Sequence, residues 1–287
     1  MKRVCDVLGV ARSHLHIRAH RPASWTDHRR HRRPRDDSHL VAEIRCEVAG
    51  LPTYGYRRAW AMVNRRRDAE GRRRANHKRV YRVMREHHLL LTRHTGRPLD
   101  TRSHDGRIAV AESNRRWCSD GFEIACDNRE RVRVAFALDC CDREAMGWVA
   151  TTGGITGDMV RDLMVEAVEA RFGCELPSQP IEWLTDNGSP YIAADTRSFA
   201  LEIGLEPVTT AIRSPQSNGM AEAFVKTFKR DYAGCMDRRD AITVLRQLES
   251  AFEHYNEVHP HSALKMMSPR MFRRGTSQLS VAVCPEI

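Results

Sequence analysis

The stretch WCSDGFEI at residues 117–124 decides the fold, because it has the apolar and aromatic content of a strand and starts a regular order of elements. A second run, 132–138, follows after Asp127-Asn128-Arg129, which predicts a hairpin. The order continues with a strand at 146–151, a helix at 156–172, a strand at 181–184 and a helix from about 221. This order predicts an α/β domain.

The local sequence around two acidic residues predicts that their side chains point to one shared site. Asp186 directly follows the apolar run 181–184, so it lies at the carboxyl end of a strand. Glu222 follows the turn-rich stretch 214–219 and opens an amphipathic helix, on which it shares the polar face with Lys226 and Lys229. That face could accept a phosphate backbone, or it could simply be solvated.

A third carboxylate is needed to hold two divalent ions, and Asp120 is the candidate. Strand, strand, strand, helix, strand, helix is the order of an RNase H-like domain, in which the first and fourth strands are neighbours and the later helix packs beside them. Asp127, Asp139 and Asp142 compete for this role. Asp139 is the strongest competitor, since it closes the second strand.

The blocks WCSDGFEI, LTDNGS and RSPQSNGMAEAFVKTFKRD resemble the three catalytic blocks of the DDE transposases and retroviral integrases. YGYRRAW, KRVYRVMREHHLL and YNEVHPHSALKMMSPRMF are similar to the downstream-frame product of the bacterial IS-three insertion-sequence family. The resemblance runs from about residue 37 to about 272. It implies an RNase H-like mixed five-stranded sheet with flanking helices, preceded by a small all-helical basic DNA-binding region.

The resemblance also implies a site and a chemistry. Asp120, Asp186 and Glu222 fall on the family's three metal-binding carboxylates, and oxygen ligands suit two Mg²⁺ or Mn²⁺ ions. Two such ions, about 3.5 to 4 Å apart, can activate an attacking oxygen and stabilise a leaving one. Water would free a 3′ hydroxyl at an element end, and that hydroxyl would attack target DNA. No protein nucleophile is needed, and the DCCDRE stretch that contains Asp139 is structural in the family.

The positive charge is concentrated in the amino-terminal part. Residues 1–116 hold 29 Lys and Arg against 12 Asp and Glu, a net of +17, whereas the remainder holds 18 against 25, a net of −7. This distribution favours a segment that grips double-stranded DNA over a uniformly basic protein. HRRHRRPR at 28–35 is too polar to bury a core and reads as a linker or a disordered arm.

The predicted organisation divides the chain into six parts. Around Gly9 the sequence has the pattern of a helix-turn-helix, and three longer helices are predicted at 38–48, 56–67 and 76–91, the last capped by Asn76 with Val80, Val83, Met84 and Leu91 facing the core. The predicted boundaries are a short helix-turn-helix-like segment at 1–20, a basic linker at 21–36, a helical DNA-binding domain at 37–97, a linker at 98–112, the catalytic core at 113–235 and a carboxyl-terminal helix and tail at 236–287.

Basic residues near these helices and near Glu222 are the candidate DNA contacts, with a plain surface role as the alternative. Asn187 and Gly188 are expected to shape the turn after the strand. The candidates are Arg57, Arg58, Arg65, Arg66, Arg72, Arg73, Lys78, Arg79, Arg213, Lys226 and Lys229.

Other patterns exclude alternatives. The nine cysteines are scattered without any CxxC pair, which argues against a zinc site, and we expect free thiols in a bacterial, nucleoid-associated cytoplasmic protein. No long apolar run predicts a membrane helix. The helix at 241–255 is expected to pack on the core, and packing or capping is favoured over metal binding for His254, His259 and His261. His259 and Lys265-Met266-Met267 depart from the family pattern, which has an arginine and a Gly-Tyr type of turn.

The sequence thus predicts a transposase that cleaves 3′ ends and transfers strands. The resemblance adds two partners, an upstream-frame product to which the chain is joined by frameshifting, and further copies assembled on DNA. Two other functions stay open: a non-catalytic DNA-binding regulator or degenerate copy, and an RNase H-type nuclease.

Overall fold

The computed structural model describes residues 2–7, 9–25, 36–92, 110–209 and 219–282. The chain forms two compact units, Met1–His39 and Leu40–Ile287. In the first unit, α1 (Lys2–Val7) and α2 (Arg12–Ala19) are joined through Gly9. Gly9 has a φ of +60°, a left-handed conformation that glycine adopts without steric cost, so the predicted helix, turn and helix are present.

Three helices follow, the first of which begins two residues before the boundary of the second unit. They are α3 (Ser38–Gly50), α4 (Tyr56–Ala69) and α5 (His77–Glu86). Asn76 caps α5 as predicted, because its side chain accepts a hydrogen bond from the backbone N–H of Lys78. Their shared core is apolar and fully buried, and it is built from Leu40, Ile44, Ala59, Val63, Val80, Val83 and Met84.

The predicted end of α5 at Leu91 is wrong. The helix ends at Glu86, and His88 then adopts a φ of 55°, which turns the chain away from the helix axis. Leu89 and Leu90 therefore pack against the core, whereas Leu91 remains 51% exposed. Helical periodicity cannot anticipate a left-handed histidine, since that conformation is uncommon outside glycine.

A five-stranded mixed sheet forms the centre of the second unit, as predicted. Its strands are β1 (Arg116–Ala125), β2 (Arg131–Asp139), β3 (Ala145–Thr151), β4 (Ile181–Thr185) and β5 (Leu205–Thr209), in the spatial order β3-β2-β1-β4-β5. β1 and β2 are antiparallel, as are β2 and β3, while β4 lies parallel to β1 and β5 parallel to β4. The first and fourth strands are therefore neighbours, as the RNase H-like order requires.

Helices cover both faces of this sheet. On one face, α6 (Gly157–Phe172) and α8 (Ala194–Glu202) bury Trp117 and Trp183. The short α7 (Ser189–Ile192) connects β4 to α8. The opposite face is covered by α9 (Gly219–Phe228) and α10 (Ala241–Glu257), whose aromatic side chains pack on Phe122 and Phe136. Because side chains alternate along β1, each face receives every second residue.

The chain leaves α9 through a π turn (Lys229–Ala233) rather than continuing as a regular helix. α10 packs closely on the sheet: Phe252 stacks on Trp148 at 5.2 Å, and the Asn256 amide exchanges two hydrogen bonds with the Ala145 backbone. α11 (Pro269–Ala282) completes the fold. Arg270 of α11 donates to Glu144 at 2.8 Å and so ties this helix to the turn between β2 and β3.

The atypical Lys265-Met266 pair forms a type I′ turn. Both residues have positive φ values, 54° and 65°, and Met267 N donates to Leu264 O at 2.9 Å. This turn follows the 3-10 turn Ser262–Leu264. In the described part of the chain, no helix combines the length and apolar character needed to cross a bilayer.

Candidate active site

Asp120 lies in the middle of β1 on the face that α9 covers, between the buried residues Cys118 and Phe122. Its Oδ1 accepts a hydrogen bond from Gly121 N at 2.7 Å. Asp186 is the first residue after β4, and its Oδ1 accepts from Gly188 N at 3.0 Å. Cys118 pairs with Leu184 across the parallel strands. Asp120 and Asp186 each lie two residues beyond this last pair, and the charge of Asp186 acts on Asp120.

Glu222 lies in the first turn of α9, where a negative charge is favoured by the helix dipole. Its side chain is 41% exposed and accepts from Lys226 Nζ at 3.4 Å. Lys229 lies on the same flank, with its Nζ 5.9 Å from the centre of the Phe122 ring. The predicted sharing of one polar face by Glu222, Lys226 and Lys229 is consistent with these contacts.

The electrostatics of Asp120 connect the three acids. Burial raises the pKa of Asp120, and the charges of Asp186 and Glu222 raise it further, whereas the Gly121 hydrogen bond and the charge of Lys229 oppose the shift. Asp120 therefore lies within electrostatic range of both other carboxylates. Their mutual repulsion disfavours the fully ionised state of the group.

The donor set fits a hard divalent cation, because all three side chains offer oxygen and a cation would relieve the repulsion that raises the Asp120 pKa. Within the described residues, no three His, Cys, Asp or Glu side chains already lie close enough together to hold a metal ion. Asp120 thus lies within electrostatic range of Asp186 and Glu222, but the three side chains are not close enough together to share one metal ion.

Asp139 is engaged in a different way. Its side chain is fully buried, and its oxygens accept from the backbone N–H groups of Asn114 and Cys141, both at 2.7 Å, and from Trp117 Nε1 at 3.2 Å. The neighbouring Asp142 receives two hydrogen bonds from buried Arg171, each 2.9 Å long. Carboxylates saturated in this way are structural, which favours Asp120 over Asp139.

Tyr191 is a neighbour of the strand carboxylates that the sequence analysis missed. Ser119 Oγ donates to its hydroxyl at 3.1 Å, and the ring packs on the core of the sheet face that buries Trp117 and Trp183. Burial raises the pKa of Tyr191, and the charges of Asp120 and Asp186 add to that rise. The phenol therefore stays neutral. No periodicity identifies Tyr191, because it lies in a four-residue helix after the turn.

Gly188 has a steric reason to be glycine. A Cβ added there would lie 3.0 Å from Asp186 Oδ1 and 3.4 Å from Tyr191 Cδ2. The Gly188 N–H also donates to Asp186. The predicted turn-shaping role of Gly188 is thus consistent with a direct contact to the carboxylate.

Two of the predicted DNA-contacting arginines are committed to the protein itself. Arg58 Nη1 donates to the buried Asp231 carboxylate at 2.8 Å. The Arg65 guanidinium donates to Val258 O at 2.5 Å and to Met266 O at 2.6 Å. Because two of its donors are engaged by backbone carbonyls, we expect Arg65 to have a structural role.

Two others form surface ion pairs. Arg66 lies 2.7 Å from Glu47, and Arg72 pairs with Glu43 and, at 2.6 Å, with Glu70. The Arg72–Glu70 pair is exposed on both sides and contributes little to stability, on the order of 0 to 1 kcal/mol, so a DNA phosphate could replace Glu70. The side chains of Glu47 and Glu43 are only 11% and 12% exposed, so these two acids hold their arginines more firmly.

The remaining candidates differ in their surroundings. Arg57 donates to the Tyr56 hydroxyl at 3.2 Å, while Lys226 is 77% exposed beside Glu222. Arg213 lies outside the described residues. The other exposed or half-exposed candidates near the start of α5 are Arg73, Lys78 and Arg79.

Comparison with known families gives three matches along the chain. Residues 34–97 match an HTH-like domain, and residues 110–215 and 203–269 match two models described as integrase core domain. The matches cover the three helices α3 to α5, the sheet and the helices packed on it.

Curated relatives match almost the whole chain. It is 54% identical over 286 residues to transposase InsD for insertion element IS2A/D/F/H/I/K of Escherichia coli, covering 99% of this chain and 95% of that protein. Transposase InsD for insertion element IS2-9 of Escherichia coli K12 is also 54% identical, with 99% of this chain and 93% of that protein covered.

Solved structures similar to the chain include the catalytic core domain of BIV integrase, at 14% identity and a TM-score of 0.39, covering 58% of this chain and 99% of that one. The catalytic domain of Mos1 mariner transposase is similar at 13% identity and a TM-score of 0.42, covering 58% and 77%.

Proposed function

The chain belongs to the insertion-element transposases of the InsD type, and from this premise we propose that Asp120, Asp186 and Glu222 carry out its DNA cleavage and strand transfer. The observation that supports this assignment is the electrostatic grouping of the three carboxylates, one on β1, one directly after the neighbouring parallel strand β4, and one on α9. Asp139, the strongest competitor, has its oxygens occupied by buried donors.

We propose that the three side chains hold Mg²⁺ or Mn²⁺, most simply as two ions. When bound, such ions activate the attacking oxygen and stabilise the leaving oxygen of an in-line displacement at phosphorus. The chain's own residues then have distinct tasks. Gly188 N and Gly121 N orient one oxygen each of Asp186 and Asp120, and Tyr191 contacts Ser119, the neighbour of Asp120, without adding charge.

Lys226 and Lys229 would neutralise phosphate charge near Glu222, since cations beside a transferring phosphoryl group stabilise the charge that develops there. Water would be the attacking group in the cleavage step, and the 3′ hydroxyl it frees would attack the target. No covalent bond to the protein forms in either step.

We further propose that the helical region α3 to α5 binds double-stranded DNA through Arg57, Arg66, Arg72, Arg73, Lys78 and Arg79. The net charge of +17 on residues 1–116 supports this role. We also propose that further copies of the chain assemble on paired element ends. The chain would act as a fusion to an upstream-frame product, at the bacterial nucleoid.

The test is cleavage and strand transfer on a labelled element-end duplex in Mg²⁺. Asp120→Asn, Asp186→Asn and Glu222→Gln should each lower activity at least 10³-fold, on the order of the loss seen when an essential catalytic group is removed, while DNA affinity is retained. Glu206→Gln, on the exposed side of β5, is the matched control and should keep wild-type activity.

Activity that survives any of the three changes would refute the assignment of that residue. If the wild type binds DNA but does not cleave, adding the upstream-frame region separates a missing partner from a non-catalytic regulator. Cleavage of an RNA–DNA hybrid in place of the element end would identify an RNase H-type nuclease instead.

A further inference from the structure

A small polar cavity lies on the flank of α9 that faces away from Glu222. Its volume is about 200 Å³, and it is enclosed by α9, the end of β2, α10 and residues 261–263. Met220, Ala223 and Thr227 of α9 form one wall. At 3.6 residues per turn this wall is roughly 140° around the helix from the Glu222 flank. The cavity is therefore distinct from the proposed active site.

Two nitrogen atoms in its lining have no partner. Arg143 Nε and His261 Nε2 are buried, and neither has a hydrogen-bond partner within the described part of the chain. A buried donor without an acceptor costs about 1–3 kcal/mol. Arg143 is also held with a φ of 65°, in the turn that links β2 to β3.

The charge around these atoms is predominantly positive. Arg58 and Arg143 both line the cavity. Burial lowers the pKa of His261, and the charges of Arg58, Arg143 and Arg65 lower it further, while Asp231 acts in the opposite direction. Asp231 already forms ion pairs with Arg58 and Arg230. Asp142 also acts on the lining residue Tyr255, but it is paired with Arg171. The guanidinium groups at the cavity therefore outnumber the carboxylates left for them, an imbalance that an anion would correct.

We propose that Arg143 and His261 form a phosphate-binding site behind α9, with Arg58 adding positive charge while it stays paired with Asp231, and that the ligand is a backbone phosphate of DNA. A guanidinium fork matches the oxygens of a phosphate, and the cavity is smaller than the roughly 300–1,000 Å³ of sites that enclose a whole small molecule. It therefore suits one group of a larger ligand. The phosphate site itself is argued independently of the proposed function; only the identification of DNA as the molecule that supplies the phosphate rests on that function.

A phosphate bound in the cavity would contact the flank of α9 that faces away from Glu222. Met220, Ala223 and Thr227 lie within two turns of Glu222 on the same helix, so a ligand against them restrains the position of the catalytic acid. DNA bound on this flank would thus hold α9 in place.

The test uses the full chain with Arg143→Gln, Arg143→Lys and Arg238→Gln. Arg238 is exposed, and its backbone contacts Asp127 at the hairpin end of β2, the end opposite Arg143, so it is the charge-matched control. The first readout is thermal stabilisation by inorganic phosphate against chloride at equal ionic strength. The second is duplex DNA affinity across a salt series.

Phosphate should raise the melting temperature of wild type and of Arg238→Gln but not of Arg143→Gln. Arg143→Gln should also lower the slope of log K against log salt by about 0.9, the value of one lost phosphate contact. Arg143→Lys keeps the charge and should restore the slope with part of the phosphate stabilisation. It also keeps the test decisive if the Gln variant does not fold.

Phosphate stabilisation that depends on Arg143 with an unchanged salt slope would overturn DNA as the ligand and leave free phosphate. Stabilisation that is absent from wild type, or equal in all variants, would overturn the site. Neither readout uses cleavage, so loss of activity in the carboxylate variants cannot be confused with failure of this site.

Discussion

Arg58 Nη1 donates to Asp231 Oδ2 at 2.8 Å and so joins α4 of the helical region to the π turn that continues α9. The Asp231 side chain is fully buried, and Arg230 also donates to it. The helix that carries Glu222 is thereby connected to the basic helices through one buried carboxylate.

Asp231→Asn should destabilise the protein by about 2 kcal/mol, less than the 3–5 kcal/mol of a fully buried pair because both arginines keep part of their hydration. Urea unfolding followed by circular dichroism measures this change. Asp237→Asn removes an exposed carboxylate that pairs with Arg239 and should leave the unfolding midpoint unchanged. Equal stability of Asp231→Asn and wild type would refute a structural role for the pair.

The same pair makes stability depend on pH. Burial alone would raise the pKa of Asp231, but the Arg230 hydrogen bond and the Arg58 charge more than offset this, and the pKa lies below its usual 3.8. A depressed folded-state pKa contributes stability above the unfolded-state pKa and loses it as pH falls through the folded-state pKa. The difference between wild type and Asp231→Asn should therefore be constant at neutral pH and shrink below about pH 4; a gap that widens in acid would contradict this reading.

Asp120→Asn should stabilise the metal-free protein. The pKa of Asp120 is raised by burial and by the charges of Asp186 and Glu222, so its ionised form costs stability at neutral pH. Removing the charge should therefore raise the melting temperature at neutral pH. The gain should disappear in acid, where wild-type Asp120 is protonated. Mg²⁺ should stabilise wild type more than the variant; an equal effect on both would argue against Asp120 as a ligand.

Gly188→Ala should lower cleavage without weakening DNA binding. Its Cβ would lie 3.0 Å from Asp186 Oδ1, which forces the carboxylate or the turn to move. The required shift is a few tenths of an ångström, so the loss in rate should be smaller than the roughly 100-fold cost of a 1 Å displacement at a catalytic group. Gly154→Ala is the control, because a Cβ there meets no atom within 4 Å. Wild-type cleavage by Gly188→Ala would show that the Asp186 turn tolerates movement.

Arg65 and Arg73 should separate a structural from a DNA-binding arginine. Arg65→Gln loses two hydrogen bonds to backbone carbonyls and should destabilise the protein by about 1–3 kcal/mol, with an unchanged salt slope of DNA binding. Arg73→Gln removes an exposed charge and should lower that slope by about 0.9 at unchanged melting temperature. If instead Arg65→Gln lowered the salt slope without destabilising the protein, Arg65 would be a DNA contact.

The strands and helices were predictable wherever burial imposes a period. α6 and the face of α9 that buries Phe224 and Phe228 follow that rule, whereas the strands β1 to β4 were predictable from short runs of apolar residues between turns. β5 was expected in the sheet but could not be located, because Leu205–Thr209 is an edge strand with little burial. The left-handed His88, the π turn and the short α7 carry no periodic signal.

Within the site, the local sequence predicted the three carboxylates as candidates, whereas their partners needed the fold. Tyr191 comes close to Asp120 only through Ser119 on a distant strand. Arg65 has no local feature that marks it as structural, since its acceptors Val258 and Met266 are supplied by a segment nearly two hundred residues away.

The packing of α10 limits how far the catalytic part can be treated as a module. Trp148 stacks on Phe252, and Ala145 shares two hydrogen bonds with Asn256, so a chain cut at residue 235 would expose an aromatic wall and two backbone groups of β3. The sheet and α10 therefore form one structural unit. An exchange of catalytic cores between elements should place its junction after Glu257, not directly after Glu222.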